Sequence, residues 1–454
     1  MSDNVAAAPK TVLILAYHFP PIGGAGVQRT VKFVKYLPEF GFRPVVVTTG
    51  DVDDKAWPPR DATLHGEIPS GTPVYRTPKP PPPPFPRWIA RVEDRALQIL
   101  QRRDRNSNTW IEACVKQGLR AGRDHSPDLV YASLSPFESC PAAEFLARAF
   151  GVPWVADLRD PWALDEMMVY STRWHRLAEV RRMRRELSTA RLVIMNTPAA
   201  MHALTEAMPE FNDARVLTIP NGFDAADFAG PPLPKRQHEF RIVHTGHLHS
   251  ELGARHRRRR WVRRLLGGER LPVDIETRSH IYLLAALARW RSESTDMRRH
   301  VRLVLAGPTT TSDRLAVERS GVSELVEMPG YLDHQTSIAL IRSADLLFLP
   351  MHNLPVGERA RLVPGKTYEY LAAGPPILAA VPDGDASDLV TKSGNGDVCR
   401  PDDVSGILSS LRARYESWLA GKPLSCAESE LCRRFERREL TQMLAAGFER
   451  ILRR

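Results

Sequence analysis

The sequence predicts an α/β protein built from two doubly wound domains. The chain has 454 residues, which is more than a single hydrophobic core usually supports. Residues 11–49 read as strand, glycine-rich turn, helix and strand, and the same rhythm restarts at Phe240 in the second half. The predicted strands are continuous apolar runs, which are typical of parallel sheets covered by helices on both faces.

Composition narrows the class of protein. Hydrophobic residues make up 43% of the chain and charged residues 26%, as in soluble globular proteins. No apolar run approaches the roughly 18 residues of a membrane span, and residues 11–17 lead directly into Pro20, so we expect a strand there and no signal peptide. We expect a cytoplasmic protein. Its five cysteines are few, odd in number and without the spacing of metal ligands, which favours reduced thiols over disulfides or a zinc site. The net charge of +10 predicts an anionic partner, which leaves nucleotide, nucleic acid and anionic lipid open.

A glycine cluster follows the first predicted strand at 11–16. Gly23, Gly24 and Gly26 precede a predicted helix at 27–36. Glycines at such a turn let the backbone approach a ligand and present amides at a helix start. The spacing differs from the dinucleotide-binding fingerprint, and a plain tight turn is the alternative.

The rest of the first half supplies further strands and one charged turn. Apolar runs predict strands at 43–49, 128–132, 191–196 and 216–219, whereas residues 78–86 predict a polyproline spacer and 87–122 a helix. Another strand, beginning at Pro153, ends in Asp157-Leu158-Arg159-Asp160 at the carboxyl edge of the sheet. Asp157 or Asp160 could orient an acceptor there, or an Asp–Arg pair could brace the turn.

Proline and glycine density at residues 230–235 predicts the domain boundary. We therefore divide the chain into residues 1–232, residues 233–430 and a terminal part, residues 431–454. The helical stretch from Glu428 to Leu452 is expected to cross back onto the first domain. Residues 250–280 interrupt the second domain with nine arginines against four acidic residues. This basic insertion is a nucleic-acid arm, an anionic-lipid contact, part of a phosphate pocket, or simply solvated.

The stretch 363–376 (VPGKTYEYLAAGPP) predicts a short helix between two buried strands, at 345–350 and 377–381. Lys366 and Glu369 stand three residues apart on one face of that helix. Because helix N-termini at the carboxyl edge of a parallel sheet attract anions, this pair suits a phosphate and a sugar diol. The alternative is a surface ion pair worth a few tenths of a kcal/mol, ~0.2–0.5.

Taken in order, these motifs resemble the GT-B glycosyltransferases, specifically the large retaining group called family four. The motifs that carry the resemblance are PPIGGAGVQR at 20–29, DLRDPW at 157–162, IPNGFD at 219–224, HTG at 244–246, LVLAG at 303–307 and PGKTYEYLAAGPPI at 364–377. Together they span nearly the whole chain.

The resemblance implies two Rossmann-like domains facing a cleft, with a nucleotide-diphosphate sugar mainly on the second domain. The acceptor, a glycan, a lipid-linked molecule or a small molecule, would lie on the first domain, and polysaccharide biosynthesis is the expected setting. Glu369 would accept hydrogen bonds from the ribose, and Lys366 would neutralise the diphosphate. The other residues implied for the donor site are Gly23, Gly24, Gly26, Thr245, Gly246 and Arg255. Asp157 joins Lys366 and Glu369 as an implied catalytic residue.

No metal and no cofactor besides the donor are expected, and an anionic membrane surface is a further expected partner, whereas nucleic acid is not. Three features depart from the family. Arg361 stands where a second glutamate is common, the loop 133–135 has no histidine, and the usual basic pair is displaced, with Arg255 and Arg257 as the candidates to replace it.

Two other functions stay open beside transfer. One is a GT-B nucleotide-sugar epimerase, and the other is a non-catalytic protein that binds an anionic surface through residues 257–264. Asp383 and Asp385 suggest a divalent ion, but a turn after the preceding strand is the favoured interpretation.

Overall fold

The computed structural model describes residues 8–50, 60–78, 105–212, 214–258, 260–294, 296–422 and 429–453. Residues 79–86 of the predicted polyproline spacer and residues 87–104 of the predicted helix lie outside the described residues, as does Cys426.

The first domain contains a parallel sheet of seven strands in the order β3-β2-β1-β4-β5-β6-β7. Its strands are β1 (Lys10–Ala16), β2 (Phe42–Thr48), β3 (Val74–Arg76), β4 (Leu129–Ser133), β5 (Trp154–Leu158), β6 (Leu192–Met195) and β7 (Val216–Thr218). Its helices are α1 (Ala25–Tyr36), α2 (Arg105–His125), α3 (Ser139–Phe150), α4 (Arg173–Leu187) and α5 (Pro198–Ala207). The strand order reverses between β1 and β4, which opens a crevice at their carboxyl ends.

The second domain contains a parallel sheet of six strands in the order β10-β9-β8-β11-β12-β13. Its strands are β8 (Phe240–Thr245), β9 (Val301–Ala306), β10 (Val326–Gly330), β11 (Leu346–Pro350), β12 (Ile377–Ala380) and β13 (Gly396–Cys399). Its helices are α6 (Ser250–Arg258), α7 (Arg260–Leu265), α8 (Ile281–Glu293), α9 (Met297–His300), α10 (Thr311–Arg319), α11 (His334–Arg342), α12 (Lys366–Ala373), α13 (Asp385–Lys392) and α14 (Val404–Leu419). Here the order reverses between β8 and β11.

Both faces of each sheet carry a hydrophobic core, as continuous apolar strands require. In the first domain, alternate residues of β1 face opposite cores, with Leu13 on one side and Ile14 on the other. The prediction of two doubly wound α/β domains is confirmed. The predicted boundary at residues 232 and 233 falls between β7 and β8 and stays a prediction.

The C-terminal stretch returns to the first domain, as predicted, but it is not one helix. Two helices lie there, α15 (Ser429–Arg433) and α16 (Arg437–Leu452). They are separated because Phe223 N donates to the carbonyl of Phe435 and the N–H of Arg437 donates to the carbonyl of Phe223, at 3.0 and 2.7 Å. The apolar face of α16 then packs on the first sheet, where the Phe448 and Phe42 rings meet edge to face at 5.4 Å.

Two other expectations need refinement. The basic insertion at 250–280 contains α6 and α7, which the run of arginines obscured in the sequence. Asp385 begins α13 and accepts a hydrogen bond from Ala199 N at 2.9 Å, so it caps α5 of the other domain. Among the described residues, no group of histidines, cysteines and carboxylates has the arrangement of a metal site. Within the same residues, no helix combines the length and apolar character of a membrane span.

Candidate active site

The loops at the carboxyl ends of the two sheets meet between the domains. Arg361 N donates to Glu166 Oε1 at 3.0 Å, and its guanidinium donates to the carbonyl of Leu164 at 3.0 Å. Glu166 also lies 3.1 Å from the buried ring of His352. Arg361, which departs from the family pattern, therefore holds the domains together across the cleft.

Lys366 is the first residue of α12 and lies against the end of β8. Its Nζ is 3.3 Å from His244 Nε2. His244 Nδ1 lies 3.0 Å from the carbonyl of Phe348, which can only accept, so Nδ1 carries the ring proton and Nε2 accepts from Lys366. Burial, and then Lys366, hold the pKa of His244 well below its ordinary value, so this imidazole is neutral.

Gly246 is the turn residue on which the lysine rests. Its φ of +109° is one that residues with a side chain rarely adopt, and an added Cβ would lie 2.7 Å from Lys366 Nζ. Thr245, one residue earlier, donates its N–H to Tyr370 Oη at 2.9 Å. The tyrosine on α12 thus ties the helix to the end of β8. The structure brings Thr245, Gly246 and Lys366 together, as predicted.

Arg278 is a second cation near Lys366, and sequence reasoning missed it. Burial lowers the pKa of Lys366 to about 7, and the charge of Arg278 acts in the same direction. Burial also lowers the pKa of Arg278, against the charges of Asp160 and Asp165 in the first domain. The arginine lies within the basic insertion, yet no spacing in the sequence separates it from the eight other arginines there.

Glu369 lies one turn after Lys366 and is half-buried. Burial raises its pKa, while the charges of His334 and Arg437 oppose that rise. Glu369 makes no hydrogen bond or ion pair with another residue of the described ranges, and Lys366 has no carboxylate within ion-pair distance among them. The alternative of a surface ion pair between the two is therefore not observed.

The glycine loop lies opposite, at the start of α1. Gly24 has φ +89°, and a Cβ added there would meet no atom within 4 Å, so the loop borders open space. The Gly24 N–H bonds to Tyr331 of the second domain, whose pKa burial and Asp61 raise to about 12. The carbonyl of Gly26 accepts a hydrogen bond from the Arg159 guanidinium. Gly23 is buried beside them.

Asp157 does not reach the cleft. It is fully buried at the end of β5, and Arg29 binds both of its oxygens at 2.7 and 2.9 Å, while Tyr131 Oη adds a further hydrogen bond. The structure therefore favours the bracing alternative over contact with substrate, with Arg29 of α1 as the cation in place of Arg159. Asp160, the other carboxylate of the turn, is exposed.

Arg255 is likewise apart from Lys366. Its side chain is 68% exposed and pairs with Glu251 one turn earlier on α6. Arg257, the other expected substitute, pairs with Asp274 and Glu276. Because these carboxylates already neutralise it, the structure points to Arg278 in place of both.

His18 is a further group that the motif analysis overlooked. It follows β1, and burial, together with Arg159, lowers its pKa to about 4, so the ring is neutral. Its Nδ1 is buried without a hydrogen-bond partner among the described residues. Register places the end of β1 beside the end of β4, since Ala16 pairs with Ser133. An imidazole therefore lies next to the loop in which the sequence shows no histidine.

Comparison with known proteins agrees with this architecture. Residues 23–222 match the glycosyl transferase 4-like domain. A glycogen synthase of Mycobacterium tuberculosis is 26% identical over 202 residues, which are 44% of this chain and 40% of that protein. The chain thus matches less than half the length of this curated relative.

Two solved structures share the fold over almost their full length. Anabaena HepE, in complex with UDP and glucose, has a TM-score of 0.61 and 18% identity, covering 96% of this chain and 99% of that one. Sucrose-phosphate synthase from Thermosynechococcus elongatus has a TM-score of 0.64 and 14% identity, covering 97% and 98%. Residues 23–222 thus match the glycosyl transferase 4-like domain, and the chain as a whole shares the two-domain GT-B fold of these structures, as its motifs predict.

Proposed function

We propose that the protein transfers a sugar, with retention, from a nucleotide-diphosphate donor to a glycan, lipid-linked or small-molecule acceptor. The observation that carries the proposal is the first turn of α12. There, Lys366 and Arg278 approach each other without a carboxylate paired to the lysine, and Glu369 follows without a hydrogen-bond partner among the described residues. Two neighbouring cations suit a diphosphate, and a free carboxylate suits a ribose diol.

Each donor contact has a chemical reason. The diphosphate gains negative charge as the anomeric C–O bond breaks, so cations fixed at its position stabilise the transition state more than the ground state. The amides at the start of α12 add a favourable dipole. The Lys366 ammonium is partly deprotonated in the free protein, and a bound diphosphate would return its proton.

Retention follows if the acceptor attacks from the face that the diphosphate leaves. The acceptor oxygen forms the new bond to the anomeric carbon while the old C–O bond breaks and its electron pair passes to the diphosphate. The acceptor proton then moves to the departing diphosphate oxygen. Asp160 is better placed than Asp157 to orient the acceptor, because it is exposed and faces Arg278 across the cleft.

The first test is a screen of nucleotide sugars by thermal shift. UDP-glucose is the first donor to try, since Anabaena HepE has been solved with it. A donor at a hundred times its dissociation constant adds about 2.7 kcal/mol of stability. Activity is then measured as product formed with and without an acceptor. Turnover of donor to an epimer without acceptor would favour the epimerase alternative.

The matched test is Glu369→Ala against Glu358→Ala. Glu358 is exposed and lies in the same connecting segment. We expect Glu369→Ala to lower transfer at least tenfold with the fold intact by circular dichroism, since a charge-assisted hydrogen bond is worth about 1.5–3 kcal/mol. Glu358→Ala should leave it unchanged. Transfer by Glu369→Ala equal to that by Glu358→Ala would contradict the assignment of Glu369 to the donor site. A wild type that binds no nucleotide sugar and transfers none would instead support a non-catalytic surface-binding protein.

A further inference from the structure

Five exposed apolar side chains are grouped where α4 begins and α7 ends. Trp174 is 73% exposed, Trp261 72% and Leu265 79%. Val262 and Leu266 beside them are 38% and 47% exposed. We call these five residues the tryptophan face. Tryptophan is seldom so open to water, and grouped exposed apolar residues mark interaction sites.

The tryptophan face is shared between the two domains. Trp174 begins α4 in the first domain, and the other four residues belong to α7 and the residue after it in the second. Arg173 N donates to the carbonyl of Leu266 at 2.8 Å, and Tyr170 N donates to that of Gly268 at 3.0 Å. These bonds place the start of α4 directly beside the end of α7.

Positive charge surrounds the tryptophan face. Arg173, Arg258 and Arg264 are exposed, and none of them forms an ion pair with another residue in the described ranges. By contrast, Arg255 and Arg257 on α6 are neutralised by nearby carboxylates. The cations that remain available are therefore those next to the exposed tryptophans and leucines.

We propose that the tryptophan face docks on an anionic lipid bilayer. Arginines attract the headgroups, tryptophans favour the interface between headgroups and acyl chains, and Leu265 enters the apolar layer. Nucleic acid fits less well, because proteins bind single strands with aromatic stacking platforms, whereas Val262, Leu265 and Leu266 cannot stack on bases.

Docking also depends on the arrangement of the domains. Trp174 is held beside the end of α7 only while the hydrogen bonds between the start of α4 and the residues after α7 are formed. A bilayer that binds both domains therefore favours the domain arrangement in which these hydrogen bonds are formed. This inference stands on the exposed surface alone and does not require the proposed transfer reaction.

The test is co-flotation of the full chain with phosphatidylglycerol-containing vesicles, compared with pure phosphatidylcholine vesicles. We expect flotation with the anionic vesicles only. Leu265→Ser and Trp261→Ser should each lower the bound fraction several-fold, and Arg264→Gln should lower it less. The matched controls are Leu419→Ser, at a leucine 53% exposed on α14, and Arg319→Gln, on α10; both should float like the wild type.

Trp174→Ser tests whether the first domain takes part. A drop in flotation comparable to that of Trp261→Ser supports a surface shared by both domains, and no drop overturns it. Unchanged flotation in all variants, or binding of single-stranded RNA in place of vesicles, overturns the proposal. Thermal shift with the donor separates membrane docking from the proposed sugar transfer. Variants of the tryptophan face should lose vesicle binding and keep donor binding.

Discussion

Two lysines, Lys32 on α1 and Lys366 on α12, differ in whether carboxylates surround their ammonium groups. Lys366 Nζ lies 3.3 Å from the neutral ring of His244 and forms no ion pair with a described residue. Lys32 Nζ instead has three carboxylate partners, Glu67 at 3.0 Å, Asp224 at 2.7 Å and Asp227 at 2.7 Å. A lysine surrounded by carboxylates stabilises the fold, whereas a lysine without a carboxylate partner can bind an anionic group of a ligand.

The largest expected effect is on stability, at Lys32. Lys32→Met removes the buried cation that the three carboxylates share, while Lys35 still pairs with Glu67 and Asp224 and His334 with Asp227. We therefore expect a loss of about 3 kcal/mol in the free energy of unfolding, the lower end of the range for breaking a buried ion pair. Urea denaturation followed by circular dichroism measures it. Lys392→Met, at an exposed lysine at the end of α13, is the control and should stay within about 0.5 kcal/mol. A Lys32 variant as stable as that control would remove the structural half of the comparison.

The next effect is on binding, at Lys366. Lys366→Met removes a cation that has no carboxylate partner, so the free protein should lose no stability. Its donor affinity should fall at least tenfold, because a charge-assisted contact is worth about 1.5–3 kcal/mol. Calorimetric titration with the donor identified by thermal shift measures this, and Arg278→Met should behave alike. A Lys366 variant that unfolds as readily as Lys32→Met would show that the two lysines play the same role.

A smaller effect concerns pH. The pKa of Lys366 is lowered to about 7 in the folded protein, so between that pH and its ordinary pKa the unfolded chain binds more protons. Stability of the free wild type, relative to Lys366→Met, should therefore rise as the pH increases from about 7 to 9, by less than ~1.4 kcal/mol per pH unit. Denaturation of both proteins at several pH values checks the sign. Parallel curves for the two would contradict the lowered pKa.

The smallest effect is expected at Arg255. Because it is exposed and paired with Glu251, Arg255→Ala should change donor affinity by less than about 0.5 kcal/mol. The same titration, run beside Arg278→Met, measures it. A loss at Arg255 as large as that at Arg278 would restore the original sequence-based assignment.

The sequence was most informative where local rules act. The proline and glycine before Lys366, the glycine after Ala373 and the flanking apolar runs predicted α12 and its strands almost to the residue. Gly24 and Gly246 both adopt positive φ at turns beside the cleft, where their motifs placed them. Such positions are determined by neighbours in the chain, so one sequence suffices to find them.

Long-range pairing was harder to predict. Asp157 binds Arg29, which is 128 residues away, and only the folded sheet brings the two together. Arg278 became a candidate only when the fold placed its charge near enough to Lys366 to lower the pKa of the lysine, since nine arginines in one segment look alike in the sequence. The Arg361 contact with Leu164 likewise depends on how the domains meet.

Proton uptake on donor binding tests the central claim most directly. The claim is that Lys366 awaits the diphosphate in a partly deprotonated state, with its pKa near 7. Titration calorimetry at pH 8 in buffers of different ionisation enthalpy should show uptake approaching about one proton per donor bound by the wild type and almost none by Lys366→Met. Tight donor binding by the wild type with no proton uptake, or equal uptake by the variant, would contradict the account.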